Sequence, residues 1–338
     1  MPSSISPSEP RLPAFALGVL FVVLVSWAAA AFYTLRINPE IRYFVGTHRI
    51  KQSWAEKMTR EHGAKLAVYG GSSCEFSIDC GRLLEKHQMP AVNLGRGAGM
   101  GASILTLAAL QEIRPGDTLV AAIEPGILGE PLEPPALGVQ FSFAVGHSEW
   151  FADPGVGTHA LPWPSALLAL RPGGYHAFTM LGKLARRQRL YRYQVADLRP
   201  SGFNQTPVRM PVDGPASHSG HLSPDARGFL RALRAWCEAH QVRVAYSLPW
   251  SFTPTDQVAG YQKLNAGFLL EVAEFLPVLK DPRLGAYTVR EHFADTGLHL
   301  TEVGAAVRTD ELAGQLKLWR VWTAAELRPL AEAKAQEK

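Results

Sequence analysis

Four short apolar-rich runs, Leu66–Tyr69, Ala91–Leu94, Thr118–Ile123 and Val242–Leu248, recur between longer stretches with helical character. Leu66-Ala67-Val68-Tyr69 shows no apolar–polar alternation, so both faces of such a strand must be covered, which is the habit of parallel sheets. The spacers fit that reading. Cys80 to His87 and Ser103 to Ile113 read as helices, the second stopped by Arg114-Pro115-Gly116-Asp117. Ser223-Pro224-Asp225 supplies a cap, a first-position proline and a first-turn acid for a helix running to His240. Gln257 to Phe275 and Thr301 to Leu316 complete the series. Strands alternating with helices in this order predict an α/β domain with a mostly parallel sheet clothed on both faces.

Ahead of the domain, Pro13 to Tyr33 contains no charged residue and is bounded by Arg11 and Arg36. About 20 apolar residues at ~1.5 Å rise cross a hydrocarbon core roughly 30 Å thick. Ala28-Ala29-Ala30-Ala31 resembles the small residues before a signal-peptide cleavage site. Signal-peptide apolar regions run only about 7–15 residues, however, and the greater length here favours an uncleaved anchor. Arg36, Arg42, Arg49 and Lys51 follow the span, whereas only Glu9 is charged among the first ten residues. Taken alone, the positive-inside rule then places the main domain in the cytoplasm, although long domains are translocated despite such charges.

The expected organisation is a flexible tail over 1–11, an anchor over 12–35, a juxtamembrane helix or stalk over 36–60, a catalytic-type domain over 61–325, and a second tail over 326–338. Residues 125–224 are rich in proline, glycine and aromatics and only weakly periodic, which predicts a long insertion over the active face or a subdomain. With 47% hydrophobic and 19% charged residues the chain is no disordered protein, and a net charge of +4 without a recognition motif predicts no nucleic-acid partner. No His/Cys cluster has metal-ligand spacing, and no cofactor is expected. Cys74 and Cys80, if on one straight helix, are about 9 Å apart along its axis and too far for a disulfide; a bend would lift that objection. Lys183 to Arg192 reads as a solvated basic helix face, with contact to anionic lipid headgroups as the alternative.

Two segments carry potential chemistry. Gly70-Gly71-Ser72-Ser73 follows the first strand at once, so the Ser72 hydroxyl stands at a strand's carboxyl end, where open α/β sheets place ligands. Asp295 and His299 are four residues apart, and a helical turn there would let the carboxylate orient the imidazole. Serine, base and orienting acid are the ingredients of nucleophilic acyl transfer. Gly95 to Gly101 follows the second strand, and its main-chain N–H groups, those of Gly97 and Gly99 among them, can face an anion. The bland alternatives are a small-residue turn, a phosphate-cradling loop and an ordinary helix cap at Thr301.

Val68-Tyr69-Gly70-Gly71-Ser72-Ser73, then Asn93-Leu94-Gly95 with its glycines, then Asp295-Thr296-Gly297-Leu298-His299-Leu300, resemble the first, second and last sequence blocks of the SGNH/GDSL hydrolases, in particular bacterial members with an N-terminal anchor. The resemblance covers roughly residues 60–130 and 225–320. It implies a three-layer αβα sandwich preceded by one transmembrane helix. It further implies Ser72 as nucleophile, His299 as base, Asp295 as its orienter, and oxyanion donors from Ser72 N–H and the Gly97–Gly99 loop. The family's aspartate before the serine is Gly71 here, the Asp–His spacing is one residue longer than its commonest form, and Glu124 stands where an oxyanion-binding asparagine is usual. An ionised carboxylate cannot donate and would repel an oxyanion.

The resulting expectation is a serine esterase or O-acyltransferase acting through an acyl-serine on a cell-envelope glycan or lipid-linked ester. It would sit as a single-pass protein in the cell inner membrane, with its domain on the periplasmic or extracellular side and envelope proteins as potential partners. The competing expectation, suggested by Glu124, is a catalytically silent glycan- or partner-binding module of the same fold.

Overall fold

The structure, a computed structural model, describes residues 11–152, 156, 160–171, 174–205 and 208–332. Four parallel strands, β1 (Leu66–Gly70), β2 (Ala91–Asn93), β3 (Thr118–Ala122) and β4 (Arg243–Tyr246), form a sheet in the order β2-β1-β3-β4. The unbroken apolar character of β1 and β3 has the expected cause. Ala67, Tyr69, Leu119 and Ala121 join one buried cluster with Ala109, Phe229 and Leu233, while Leu66, Val68, Val120 and Ala122 join another with Leu83 and Leu312. Successive side chains point to opposite faces, and both faces are packed.

The first helix, α1 (Arg11–Phe32), runs into a π-helical turn at Tyr33–Ile37. Its span Phe15–Ile37 has mean hydropathy 2.4 and is only 6% buried, so it is not a core helix; by length and composition it can cross a membrane. Asn38 then caps α2 (Pro39–His62), its side-chain oxygen accepting from Glu40 N at 3.0 Å. This segment is no stalk. Ile41, Tyr43, Phe44, Lys51, Ala55 and Met58 are buried against the domain, and the Trp54 indole donates to Ala91 O at 2.9 Å.

After β1 come α3 (Ser72–Glu75) and α4 (Cys80–His87), and after β2 comes α5 (Gly101–Leu110). The bend between α3 and α4 does not pair Cys74 with Cys80; both are free and buried. The insertion contains four short helices, α6 (Pro125–Leu128), α7 (Ala136–Val145), α8 (Glu149–Ala152) and α9 (Trp163–Ala169), and a longer one, α10 (Gly174–Ala185). It returns along the open edge of the sheet, where Ser201 O accepts from Asn93 N at 2.9 Å and protects that edge from foreign pairing. The basic run is only partly helical, because α10 ends at Ala185.

The cap read at Ser223 is present on α11 (Pro224–Ala239), its hydroxyl accepting from Ala226 N at 3.1 Å. A small parallel pair, β5 (Ser251–Phe252) and β6 (Ala286–Tyr287), flanks α12 (Val258–Val272). Thr301 caps α13 (Glu302–Leu318). The final helix, α14 (Ala324–Glu332), occupies ground expected to be a tail from 326, because Leu327 is fully buried in the main cluster. The expected tail over 1–11 falls, apart from Arg11, outside the described residues, as do residues 333–338.

Candidate active site

Where β1 ends, Gly70 and Gly71 carry the chain into α3 without room for side chains. A Cβ on Gly71 would lie 2.6 Å from Glu124 Cδ and closer still to both carboxylate oxygens. Those oxygens accept main-chain N–H bonds from Gly71 at 3.0 Å and Ser73 at 2.9 Å. Glu124 thus has both oxygens engaged by the turn and also borders a cavity. It ties down the first turn of α3, on either side of Ser72, from the end of β3. Burial raises its pKa, with the Ser73 and Gly71 N–H groups acting in the opposite direction. The absent aspartate before the serine has a steric reason in the same contact, since the space its side chain would need is filled by Glu124.

Asn93 holds the other side of the turn. Its amide donates to Cys74 O at 2.8 Å and Ile78 O at 2.7 Å, and its oxygen accepts from Gly95 N at 2.8 Å. Gly95 is obligatory there, because a Cβ would stand 2.5 Å from Glu75 N. Behind α3 lies a buried polar group. Glu75 accepts from the Tyr43 hydroxyl at 2.5 Å and pairs with Lys51 at 3.8 Å, while Asn204 donates to the Tyr43 oxygen at 2.6 Å. Lys51 also donates to Gly95 O. Burial pushes the Lys51 pKa down to about 8 against the attraction of Glu75.

Asp295 and His299 meet as the spacing predicts, but through a closed loop and not a helical turn. Phe293 and Leu300 form an antiparallel bridge, Ala294 N donates to His299 O at 2.8 Å, and Thr296 Oγ1 accepts from His299 N at 3.1 Å. The His299 Nδ1–Asp295 Oδ1 distance is 2.8 Å. Tyr193 OH donates to Asp295 Oδ2 at 2.8 Å and Arg192 Nη1 does so at 3.1 Å. Burial alone would raise the Asp295 pKa; the hydrogen bonds from His299, Tyr193 and Arg192 outweigh it and hold the carboxyl at about 2. An ionised Asp295 makes Nδ1 of His299 the donor, and Nε2 has no partner among the described residues.

Ser72 and His299 are linked through α3. Phe76 N donates to Ser72 O at 3.0 Å, one turn on, and the Phe76 ring stacks on His299 with centroids 4.3 Å apart and planes at 25°. Ser77 Oγ donates to Leu298 O at 3.3 Å. No hydrogen bond joins Ser72 Oγ to His299 among the described residues; the link between them is the Phe76 ring, one turn after Ser72, and the acid–base contact itself is not made. Such contacts often close only when substrate is bound.

Of the two loop glycines, Gly97 packs against the Phe44 ring, where a Cβ would lie 2.6 Å from Cζ, and Gly99 lines a cavity of about 380 Å³ together with Glu124, Ile127, Tyr261 and Leu298. The structure thus joins Asp295 with His299, stacks Phe76, one turn after Ser72, on the imidazole, ties Glu124 to the turn around Ser72, and puts Gly99 and Glu124 on the wall of one cavity. Sequence reasoning missed Arg192 and Tyr193 as partners of Asp295; their only signal was a place at the end of the basic run. No protein-family model, curated protein or solved structure matches the chain.

Proposed function

We propose that this chain is a membrane-anchored serine esterase or O-acyltransferase of SGNH type. The observation that carries the reading is the buried Asp295–His299 pair, whose imidazole stacks on Phe76 one turn after a serine held on a tight strand-to-helix turn. In the proposed reaction His299 Nε2 takes the Ser72 proton as Oγ attacks the ester carbonyl carbon. The tetrahedral oxyanion receives N–H donors from Ser72 and the Gly97–Gly99 loop. Collapse breaks the ester C–O bond, and the departing alkoxide takes the proton from His299. Water or a sugar hydroxyl, deprotonated by the same imidazole, then takes the acyl group from Ser72.

The parallel sheet packed on both faces is compatible with the αβα sandwich of that family. The substrate of this reading is an ester on an envelope glycan or lipid-linked carrier, met by a domain on the outer side of the inner membrane. Glu124, the reason to consider a silent binding module, has both oxygens bonded to the Gly71 and Ser73 N–H groups, a task of holding the serine turn that an active enzyme needs as well. The test is fluorophosphonate labelling of the full chain in detergent. Labelling should be stoichiometric at one site and vanish in Ser72→Ala; specific labelling that persists in the variant refutes the assignment.

A further inference from the structure

Outside the site, the largest unexplained surface is the apolar face of the insertion helices α9 and α10. On α10, Phe178, Leu181 and Leu184 are 78%, 63% and 64% exposed. At ~100° per residue, positions three apart form one stripe about 120° wide, a face left exposed by the described residues. Trp163 and Leu168 of α9 are likewise exposed. Beyond the end of α10 stand the exposed cations Arg186, Arg187 and Arg189.

The α9 part of this surface touches α1. The Trp27 indole of α1 donates to Leu167 O of α9 at 3.1 Å. Trp27 lies nine residues before Arg36, roughly 13 Å deeper along the helix axis. A short helix whose backbone touches that level is below the first charged residue of the flank. Lys183 of α10 is in turn the cation acting on Glu40, at the start of α2 immediately beyond the anchor. The insertion is thus fastened to α1 at Trp27, while Lys183 places the end of α10 near the start of α2, at the level where the apolar span gives way to its charged flank.

We infer that α9 and α10 form a second membrane-associating element, lying in the same leaflet as the base of α1 with Phe178, Leu181 and Leu184 in the acyl boundary and Arg186, Arg187 and Arg189 at anionic lipid headgroups. An amphipathic helix with an apolar face and a basic border has the composition of an interfacial helix. The inference rests on α1 being an anchor. It also has a consequence for the site: Arg192, which holds Asp295, is seven residues beyond α10, within roughly 25 Å of chain reach, so the seated helix pair keeps the site near headgroup level.

The experiment uses the full chain in nanodiscs of mixed phosphatidylcholine and phosphatidylglycerol. Single substitutions Phe178→Cys, Leu181→Cys, Val22→Cys and Val303→Cys are each labelled with an environment-sensitive fluorophore; native Cys74, Cys80 and Cys237 are buried and free, so labelling is directed to the new site. Positions 178 and 181 should show blue-shifted emission and loss of fluorescence with lipids doxyl-labelled near the headgroup. Position 22 should respond to deeper doxyl groups, and position 303, exposed on α13, should behave as in water. Positions 178 and 181 matching 303 while 22 is quenched overturns the inference alone. Failure of 22 as well removes the anchor reading beneath it. Blue-shifted emission at 178 without doxyl quenching identifies a protein, such as a second copy, on the face, and also overturns it.

Discussion

The contact between Gly71 and Glu124 allows a double-mutant cycle whose outcome follows from the geometry. Glu124→Ala removes both oxygens that accept from the Gly71 and Ser73 N–H groups. Each charge-assisted bond contributes about 1.5–3 kcal/mol, and because Glu124 borders the 380 Å³ cavity, water can reach the released donors and hold the loss near the lower end, about 3 kcal/mol in all. Gly71→Ala is compatible with the backbone, since φ is −77°. Its methyl, however, lies 2.6 Å from Glu124 Cδ, so the carboxylate must leave and both bonds are lost for a steric reason, again about 3 kcal/mol. In the double variant the methyl meets no carboxylate, and the same two bonds are lost only once. The expected total is therefore about 3 kcal/mol where additivity gives about 6, a coupling of about 3 kcal/mol. Urea unfolding of the full chain in detergent, followed by tryptophan fluorescence, reads all four corners. Additivity within about 0.5 kcal/mol would refute the steric argument and with it the account of why glycine precedes Ser72.

Two further outcomes follow from the buried charges. Asp295→Asn should slow phosphonylation of Ser72, with loss of fluoride, by about 10²- to 10⁴-fold in a fluorophosphonate time course, because the amide no longer holds the imidazole in the required tautomer; a rate within a factor of two of wild type would deny Asp295 its role. The same pair tests linkage: Asp295 has a folded pKa of about 2, depressed from 3.8, so its stabilisation is present above pH 4 and is lost as pH falls through 2. The stability difference between wild type and Asp295→Asn should accordingly narrow by about 2 kcal/mol over that window, and a pH-independent difference would contradict it. Lys51→Met should destabilise by about 3–5 kcal/mol by leaving Glu75 buried without its cation, and adding Glu75→Gln should recover most of that loss in the same unfolding assay.

The helices and strands that could be read in advance are those whose signal is local. Ser223 and Thr301 act on N–H groups three residues away, and the apolar runs of β1 and β3 carry their burial in their own composition. The features that could not be read depend on partners distant in the chain. Trp54 makes α2 part of the domain by reaching Ala91 on the sheet edge, and Leu327 makes a helix of an apparent tail by reaching a core assembled elsewhere. A polar segment and a charged C-terminus look solvated until the surfaces they cover are known.

The candidate site divides the same way. By itself the sequence determined that a serine follows a buried strand, that an aspartate and a histidine can meet four residues apart, and that an apolar segment long enough to cross a bilayer precedes them, because each is a matter of neighbouring residues and their spacing. Only the tertiary structure decided that Glu124 fastens the serine turn and that Arg192 and Tyr193 hold Asp295. It also set α9 beside α1 at Trp27. A side chain's role at such separations is fixed by which donor or apolar surface the fold carries within a few ångströms of it, and residue type alone contains no record of that distance.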